Sequence, residues 1–362
     1  MSRPTTSVGV RALFALALLA IVALVVAACG GSDSSSSSSA DSGSSSEPIT
    51  LRIGYQAIPN GDTIVRQNGW LEEALKDKNV SVEWIQFESG GDVNTAFVAG
   101  DLDIGLAGSS PVTKGLSEPL LIPYQVPWIF DVIGTAESLV VSNKSGITDI
   151  KGLAGKKIGT PFGSTAHFSL LAALEQAGVD PASVEIIDLE PADIQAAWER
   201  GDIDGAYIWL PVLGELRKDG KTLITSADLA KSGKTTADLA VVSNDFATNH
   251  SDIVQIWADQ QARAVDLFNS DPTAAGEAIG AALNLEPAEA LAQAKELIWL
   301  DAKQQSSAEY LGTPAAPGAF ANNLLDAATF LKTQDAIDAV PALDVFQKGI
   351  NGTWAAAVTP AS

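Results

Sequence analysis

Cysteine is almost missing from this sequence: Cys29 is the only one in 362 residues. A lone thiol excludes a disulfide framework and a thiolate metal centre. Histidine is nearly as scarce, with His167 and His250 the only two, which leaves little for a His-ligated metal site. Basic residues are few as well, 22 against 44 acidic ones for a formal charge of -22. Such a balance argues against nucleic acid, whose phosphates call for a basic face. Apolar residues are plentiful at 46%, enough for an extensive core.

The first residues read as an export signal. Arg3 and Arg11 give a positive start, and Ala12 to Ala28 form an unbroken apolar run ending at Cys29. The segment Val26-Ala27-Ala28-Cys29-Gly30 resembles a bacterial lipobox. That resemblance implies cleavage of 1–28, a lipid on the Cys29 sulfur and a home on the outer face of the cytoplasmic membrane. The competing reading is a membrane-spanning anchor, for which an apolar run of this length is at the short limit. Residues 29–47 are mostly Gly, Ser, Ala and Asp, a composition that cannot offset its chain entropy by burial. They are expected to form a lipidated, Ser-rich tether reaching about 20–25 Å. Loss of Arg3 and Arg11 leaves 20 basic against 44 acidic residues, so the mature charge is about -24.

From Pro48 onward, short β-type runs alternate with helical ones. Strands are expected at 49–55, 80–87, 104–107, 138–141, 157–160, 184–188, 206–209 and 238–243, and helices at 64–76, 93–99, 166–177 and 194–198. This alternation predicts α/β lobes with sheets covered on both faces. The last third, 253–345, is helical by periodicity, with Trp257, Phe268, Ile298 and Phe330 assigned to the core.

A faint repeat runs through the body. Gly100-Asp101-Leu102-Asp103-Ile104-Gly105 and Gly201-Asp202-Ile203-Asp204-Gly205 each follow a helix, each enter a strand, and each strand ends shortly before a proline, Pro111 or Pro211. Two such strand-to-helix turns are what two similar lobes contribute to a shared cleft. Ligands of open α/β sheets sit beyond the strand ends, where helix N-termini present free N–H groups. A third turn, Pro161-Phe162-Gly163 followed by Ser164 and Thr165, opens an apolar helix closed by Gly178. It reads either as a neutral cradle for an anion or as an ordinary N-cap.

These residues resemble the taurine-binding components of ABC importers, within the wider sulfonate and nitrate group of solute-binding proteins. The resemblance rests on residues 82–90, 107–111, 137–141, the stretch from Pro161 to Ala173, the stretch from Ala196 to Trp209, and Gln304 with Gln305. It implies a two-lobed type II periplasmic-binding-protein fold with two crossover strands, lobe 1 from 48–137 and 238–362 and lobe 2 from 138–237. It further implies a monomer with no cofactor that delivers taurine or a similar small sulfonate to a permease and its ATPase. Other aliphatic sulfonates, or nitrate, are the alternative ligands.

Taurine is a zwitterion, so its site needs donors at one end and an anionic or π-rich acceptor at the other. Ser109, Ser110, Ser164 and Thr165 are the candidate sulfonate donors, from helix N-termini of both lobes. Asp238 stands at the family position that pairs with the amine. Trp209 supplies a cation–π face or is a core aromatic, and His167 donates to a sulfonate oxygen or faces solvent. Gln56 and Tyr55 are further candidates after the first strand, and Glu137 reads as a structural carboxylate. A secreted hydrolase built on Ser164 or Ser169 with His167 is the rival class. Residues so close on one helix do not make a nucleophile, base and orienter, and no Gly-x-Ser-x-Gly turn is present.

Overall fold

The computed structural model describes residues 48–359. The expected signal segment, Cys29 and nearly all of the tether lie outside the described residues. Among those described, no helix is long and apolar enough to cross a membrane.

Ten strands form two five-stranded mixed sheets. In chain order they are β1 (Ile49–Tyr55), β2 (Val80–Gln86), β3 (Ile104–Gly108), β4 (Tyr124–Val132), β5 (Glu137–Ser142), β6 (Lys157–Thr160), β7 (Glu185–Asp188), β8 (Gly205–Trp209), β9 (Gly220–Thr225) and β10 (Ala237–Ser243). The first sheet runs β2-β1-β3-β10-β4 and the second β7-β6-β8-β5-β9. In each, three strands are parallel and the fourth, β10 or β5, is antiparallel to both neighbours. The sheets therefore share one topology. Each receives its antiparallel member from the other half of the chain, through 133–136 and 226–236.

The repeat visible in the sequence is the chemical basis of this likeness. Gly100 and Gly201 close the helices Gly90–Ala99 and Pro191–Arg200 at φ of 77° and 76°, a left-handed conformation that glycine adopts without steric cost. Three residues on, Asp103 accepts from the Arg52 backbone N–H at 2.8 Å and from its guanidinium at 2.8 and 3.1 Å. Asp204 does the same for the Lys157 N–H at 3.0 Å. Each aspartate thus ties the start of one parallel strand to its neighbour.

Several elements differ from the expectation. The helix expected over 64–76 is two, Gly61–Asn68 and Trp70–Leu75, because Gly69 takes φ of 62° and terminates the first. Strands β4 and β9 were not anticipated. Of the four residues assigned to the core, Trp257 and Phe330 are buried and Phe268 packs beside Trp299, but Ile298 is 51% exposed. Its backbone instead bridges to Val132, which turns the side chain outward. The helix Phe320–Thr333 shares its apolar face between the halves: Phe320, Leu324 and Leu331 join the core beside the first sheet, while Phe330 stacks edge-on against Phe168 in the second.

The two aspartate clamps differ in depth, which gives a ranking. Asp103→Ala removes three acceptor contacts from a nearly buried site and should cost about 1–3 kcal/mol. Asp204→Ala, more exposed and with one strong contact, should cost less than that. Urea unfolding of both variants checks the order.

Candidate functional site

Where the carboxyl ends of the strands in one sheet face those of the other, the chain encloses a pocket of about 420 Å³ of empty space, mouth included. Gln56, Ile58, Pro59, Gly90, Gly108, Pro111 and Asp238 line it from the first sheet and its loops. Glu137, Thr165, Trp209 and Leu210 line it from the second, and Ile133, Ala136 and Leu297 from the crossover side. The walls come close. A Cβ placed on Gly108 would lie 2.7 Å from the Thr165 methyl across the cleft, so any larger residue would have to displace Thr165.

Three carboxyls cluster here: Glu137 and Asp238, which line the pocket, and Asp131, the neighbour of Asp238, at 0%, 7% and 0% exposure. Asp131 and Asp238 are direct cross-strand partners on β4 and β10, and the register slips between Asp238 and Leu239, whose partner is Ile129. That slip makes Phe130 the extra residue of a bulge, a device that re-aims neighbouring side chains, and leaves the two acids side by side. Asn60 donates to Asp131 at 3.4 Å. Glu137 occupies in the second sheet the place Asp238 holds in the first: each stands at the start of the antiparallel strand, opposite Trp209 or Gly108.

Their surroundings differ. Glu137 accepts from Thr165 Oγ1 at 2.5 Å, Ser226 Oγ at 2.8 Å and Ser169 Oγ at 3.2 Å. Burial pushes its carboxyl up to about 7, with these three hydroxyls opposing the rise. Asp238 is also raised to about 7, by burial and then by the charge of Glu137, while the neighbouring Asp131 carboxyl pulls it down. Asp131 goes well above the ordinary carboxylate range through burial and the charge of Asp238. No lysine, arginine or histidine lines the pocket. Among the described residues no His, Cys, Asp and Glu group has a metal-holding arrangement.

The opposite character comes from the helices. Gly90 and Thr165, both pocket-lining, open the helices Gly90–Ala99 and Thr165–Ala177, which brings to the wall helix ends whose first-turn N–H groups have no partner within the helix, although Ser164 takes the His167 N–H. Anionic acceptors at one side and free donors at the other make the pocket bipolar.

Of the residues singled out from sequence, Gln56, Thr165, Trp209 and Asp238 line this pocket. Gln56 spends one N–H on the Leu106 carbonyl at 3.0 Å. Ser109, Ser110, Ser164 and His167 stand behind or beside the wall. Ser109 Oγ accepts from the Ala237 N–H, which fixes the start of β10 next to Asp238. Ser110 Oγ is buried with no protein partner. Ser164 caps its helix, accepting from the His167 N–H and donating to the Pro161 carbonyl. His167 accepts at Nδ1 from the Gly163 N–H and stacks on Phe162 with centroids 4.5 Å apart. Burial lowers its pKa against the opposing charge of Asp188, which favours the neutral ring. Tyr55 lies under the Arg66 guanidinium instead. Sequence reasoning missed Asp131 and Asn60 and assigned Glu137 a structural role only. The signal for Glu137 was available in the repeat, which makes it the counterpart of Asp238.

Two sheets of one topology, joined by two crossings with a pocket between their strand ends, define the periplasmic-binding-protein fold. Residues 65–275 match the family model described as NMT1/THI5 like, and the chain belongs to that family. Over 63% of its length it is 37% identical to the taurine-binding periplasmic protein of Escherichia coli strain K12, covering 69% of that protein. The alkanesulfonate-binding protein SsuA from Xanthomonas axonopodis pv. citri, solved bound to MOPS, superposes with a TM-score of 0.67 at 22% identity, covering 82% of this chain and 96% of that one. The desulfurization enzyme DSZB superposes at 0.58 and 17% identity, covering 82% and 96%. At these identities the structural likeness is one of fold, and the fold alone does not separate binder from enzyme.

The buried acids give the ligand-free protein an unusual pH response. Asp238, Glu137 and the buried Asp62 are all raised to about 7, each chiefly by burial. A carboxyl raised on folding binds its proton more tightly in the native state, so its contribution is complete below about pH 4 and is lost as pH rises through about 7. The melting temperature should therefore be higher at pH 5 than at pH 8. Asp62→Asn should shrink the difference, as differential scanning calorimetry at the two pH values will show.

Proposed function

We propose that this chain is the extracytoplasmic solute-binding component of an ABC importer and that its ligand is taurine. The observation that carries the reading is the bipolar pocket: two buried carboxyls in its wall, Glu137 and Asp238, with Asp131 beside the latter and no basic side chain among the lining residues, together with helix N-termini from both sheets. An ammonium supplies the counter-charge that the acids lack, and a sulfonate is met by neutral N–H donors. Taurine joins these groups by two methylenes, which suits walls as close as Gly108 and Thr165. Asp238 is the amine partner, Trp209 walls the spacer, and Gln56 and Thr165 complete the polar contacts. The kinship with the Escherichia coli taurine-binding protein supports the same choice.

In this reading the two sheets belong to separate lobes, 48–137 with 238–362 and 138–237, that close over the ligand. Ligand delivery is to a permease and ATPase in the membrane. The chain is held near them by a lipid on Cys29, released from a precursor by cleavage after Ala28.

The ligand is tested by contrast. Removing one partner of a buried charge pair typically costs about 2–5 kcal/mol, or roughly 30-fold to several thousand-fold in affinity. Asp238→Ala should weaken taurine by that order and leave ethanesulfonate little changed, by titration calorimetry of both ligands on both proteins. Equal losses would make Asp238 a support of the fold. A parent that prefers ethanesulfonate would make the protein a receptor for plain alkanesulfonates.

Anchoring has its own check. Cys29→Ser should leave the precursor uncleaved or release the protein from the membrane fraction. Unaltered processing and retention would remove the lipid from the account.

A further inference from the structure

An ammonium can neutralise one carboxylate, yet two acids line the pocket and a third, Asp131, stands beside Asp238, so the arrangement of protons among them decides what the ligand meets. We propose that Asp131 is a positioning residue that stays neutral and donates its carboxyl hydrogen to Asp238, fixing one Asp238 oxygen and leaving the other as the ligand's anionic acceptor. The inference rests on the reading above in one respect, that the ligand carries an ammonium.

Four observations carry it. Asp131 is fully buried and is the direct cross-strand neighbour of Asp238. The two carboxyls lie within hydrogen-bonding influence of each other. Asn60 donates to Asp131 Oδ2, while Asp131 Oδ1 is buried with no donor from the protein. An ionised oxygen left so would be costly, and a protonated one next to an acceptor would not. Finally, the charges acting on Asp131 are Asp238 on β10 and Glu137 at the start of β5, both acidic. With no cation in the wall, the pair can hold one negative charge between them far more readily than two.

Asp238 is thereby assigned the charge and Asp131 the proton. Glu137, held by three hydroxyls, is outside the pair and orients Thr165. Ligands whose cation is a compact ammonium fit the single exposed acceptor. A plain sulfonate leaves it unpaired.

The test reads the sign of a change. Taurine affinity is measured by calorimetry between pH 5.5 and 9 for the full chain, Asp131→Asn and Asp131→Leu, after circular dichroism has shown each to be folded. An amide is a weaker donor than a carboxyl, and leucine is none. The midpoint at which affinity rises with pH should therefore move upward from parent to Asn and further to Leu. Affinity at pH 7 should fall about two- to tenfold in Asn and more than about tenfold in Leu. If Asp131 is instead an ionised neighbour, Asp131→Asn relieves repulsion, the midpoint drops and taurine binds more tightly; that result overturns the proposal. Unchanged midpoints in both variants overturn it as well, by making Asp131 a packing residue. A ligand-free readout separates this inference from the ligand assignment. In carboxyl carbon-13 NMR of the parent, Asp131 should keep its protonated shift while Asp238 titrates, whether or not taurine binds. Asp131 ionising first would sink the proposal even if taurine proves to be the ligand, and would also decide the matter should the leucine variant fail to fold.

Discussion

A carboxylate cut off from water demands a counter-charge, and this pocket contains none of its own. Burial raises the acids at the strand ends because the wall supplies hydroxyls, amides and apolar side chains but no base. Much of the surrounding architecture manages that deficit. Three hydroxyls are drawn in around Glu137, the bulge at Phe130 sets Asp131 against Asp238, and Ser109 pins the first residue of β10. The cost is borne in the ligand-free state and is relieved by whatever cation enters, so stability and binding are linked through the same groups.

The crossover side shows how such a pocket is kept in register. Arg217 makes an ion pair with Glu296 at 2.9 Å and reaches the Thr135 carbonyl and Ser138 hydroxyl, tying the start of β5 to the loop that bridges β4. Because Glu137 sits between Thr135 and Ser138, this clasp also steadies the acid that faces Thr165. The helix Phe320–Thr333 spans both cores at the opposite flank. Chain segments far apart in sequence thus fix the spacing of groups a few ångströms apart.

How much of this was legible in the sequence depends on the element. Strands β1, β3, β6, β8 and β10 are apolar runs bounded by glycine, proline or charge, and they were placed within a residue or so of their bounds. Strand β4 escaped notice because Pro127 interrupts it and its two buried faces erase the alternation that marks a strand. Strand β9, Gly220–Thr225, is a short edge strand of mixed polarity. Missing β4 meant missing Asp131, whose importance comes only from the strand opposite. Asn60 was hidden for a related reason: its sequence context is that of a loop, yet it is fully buried. Single positions at helix N-termini were legible as types, but their directions were not. Ser164 and Thr165 are adjacent, and one turns to cap the helix while the other faces the cavity. Local pattern cannot distinguish them, because the choice is made by Glu137 from another strand of the same sheet.

The equivalence of Asp238 and Glu137 has a consequence for how such a pocket can change its cargo. A duplicated half-site starts with one acid on each side, and what separates the two acids here is a collar of three hydroxyls around one of them. Those hydroxyls favour the ionised form of Glu137, so losing them would push its carboxyl further up and leave Asp238 the readier of the two to carry charge, without altering either sheet. The balance of charge between the two sides of the cleft is then set in part by serines and a threonine, residues that carry no charge themselves.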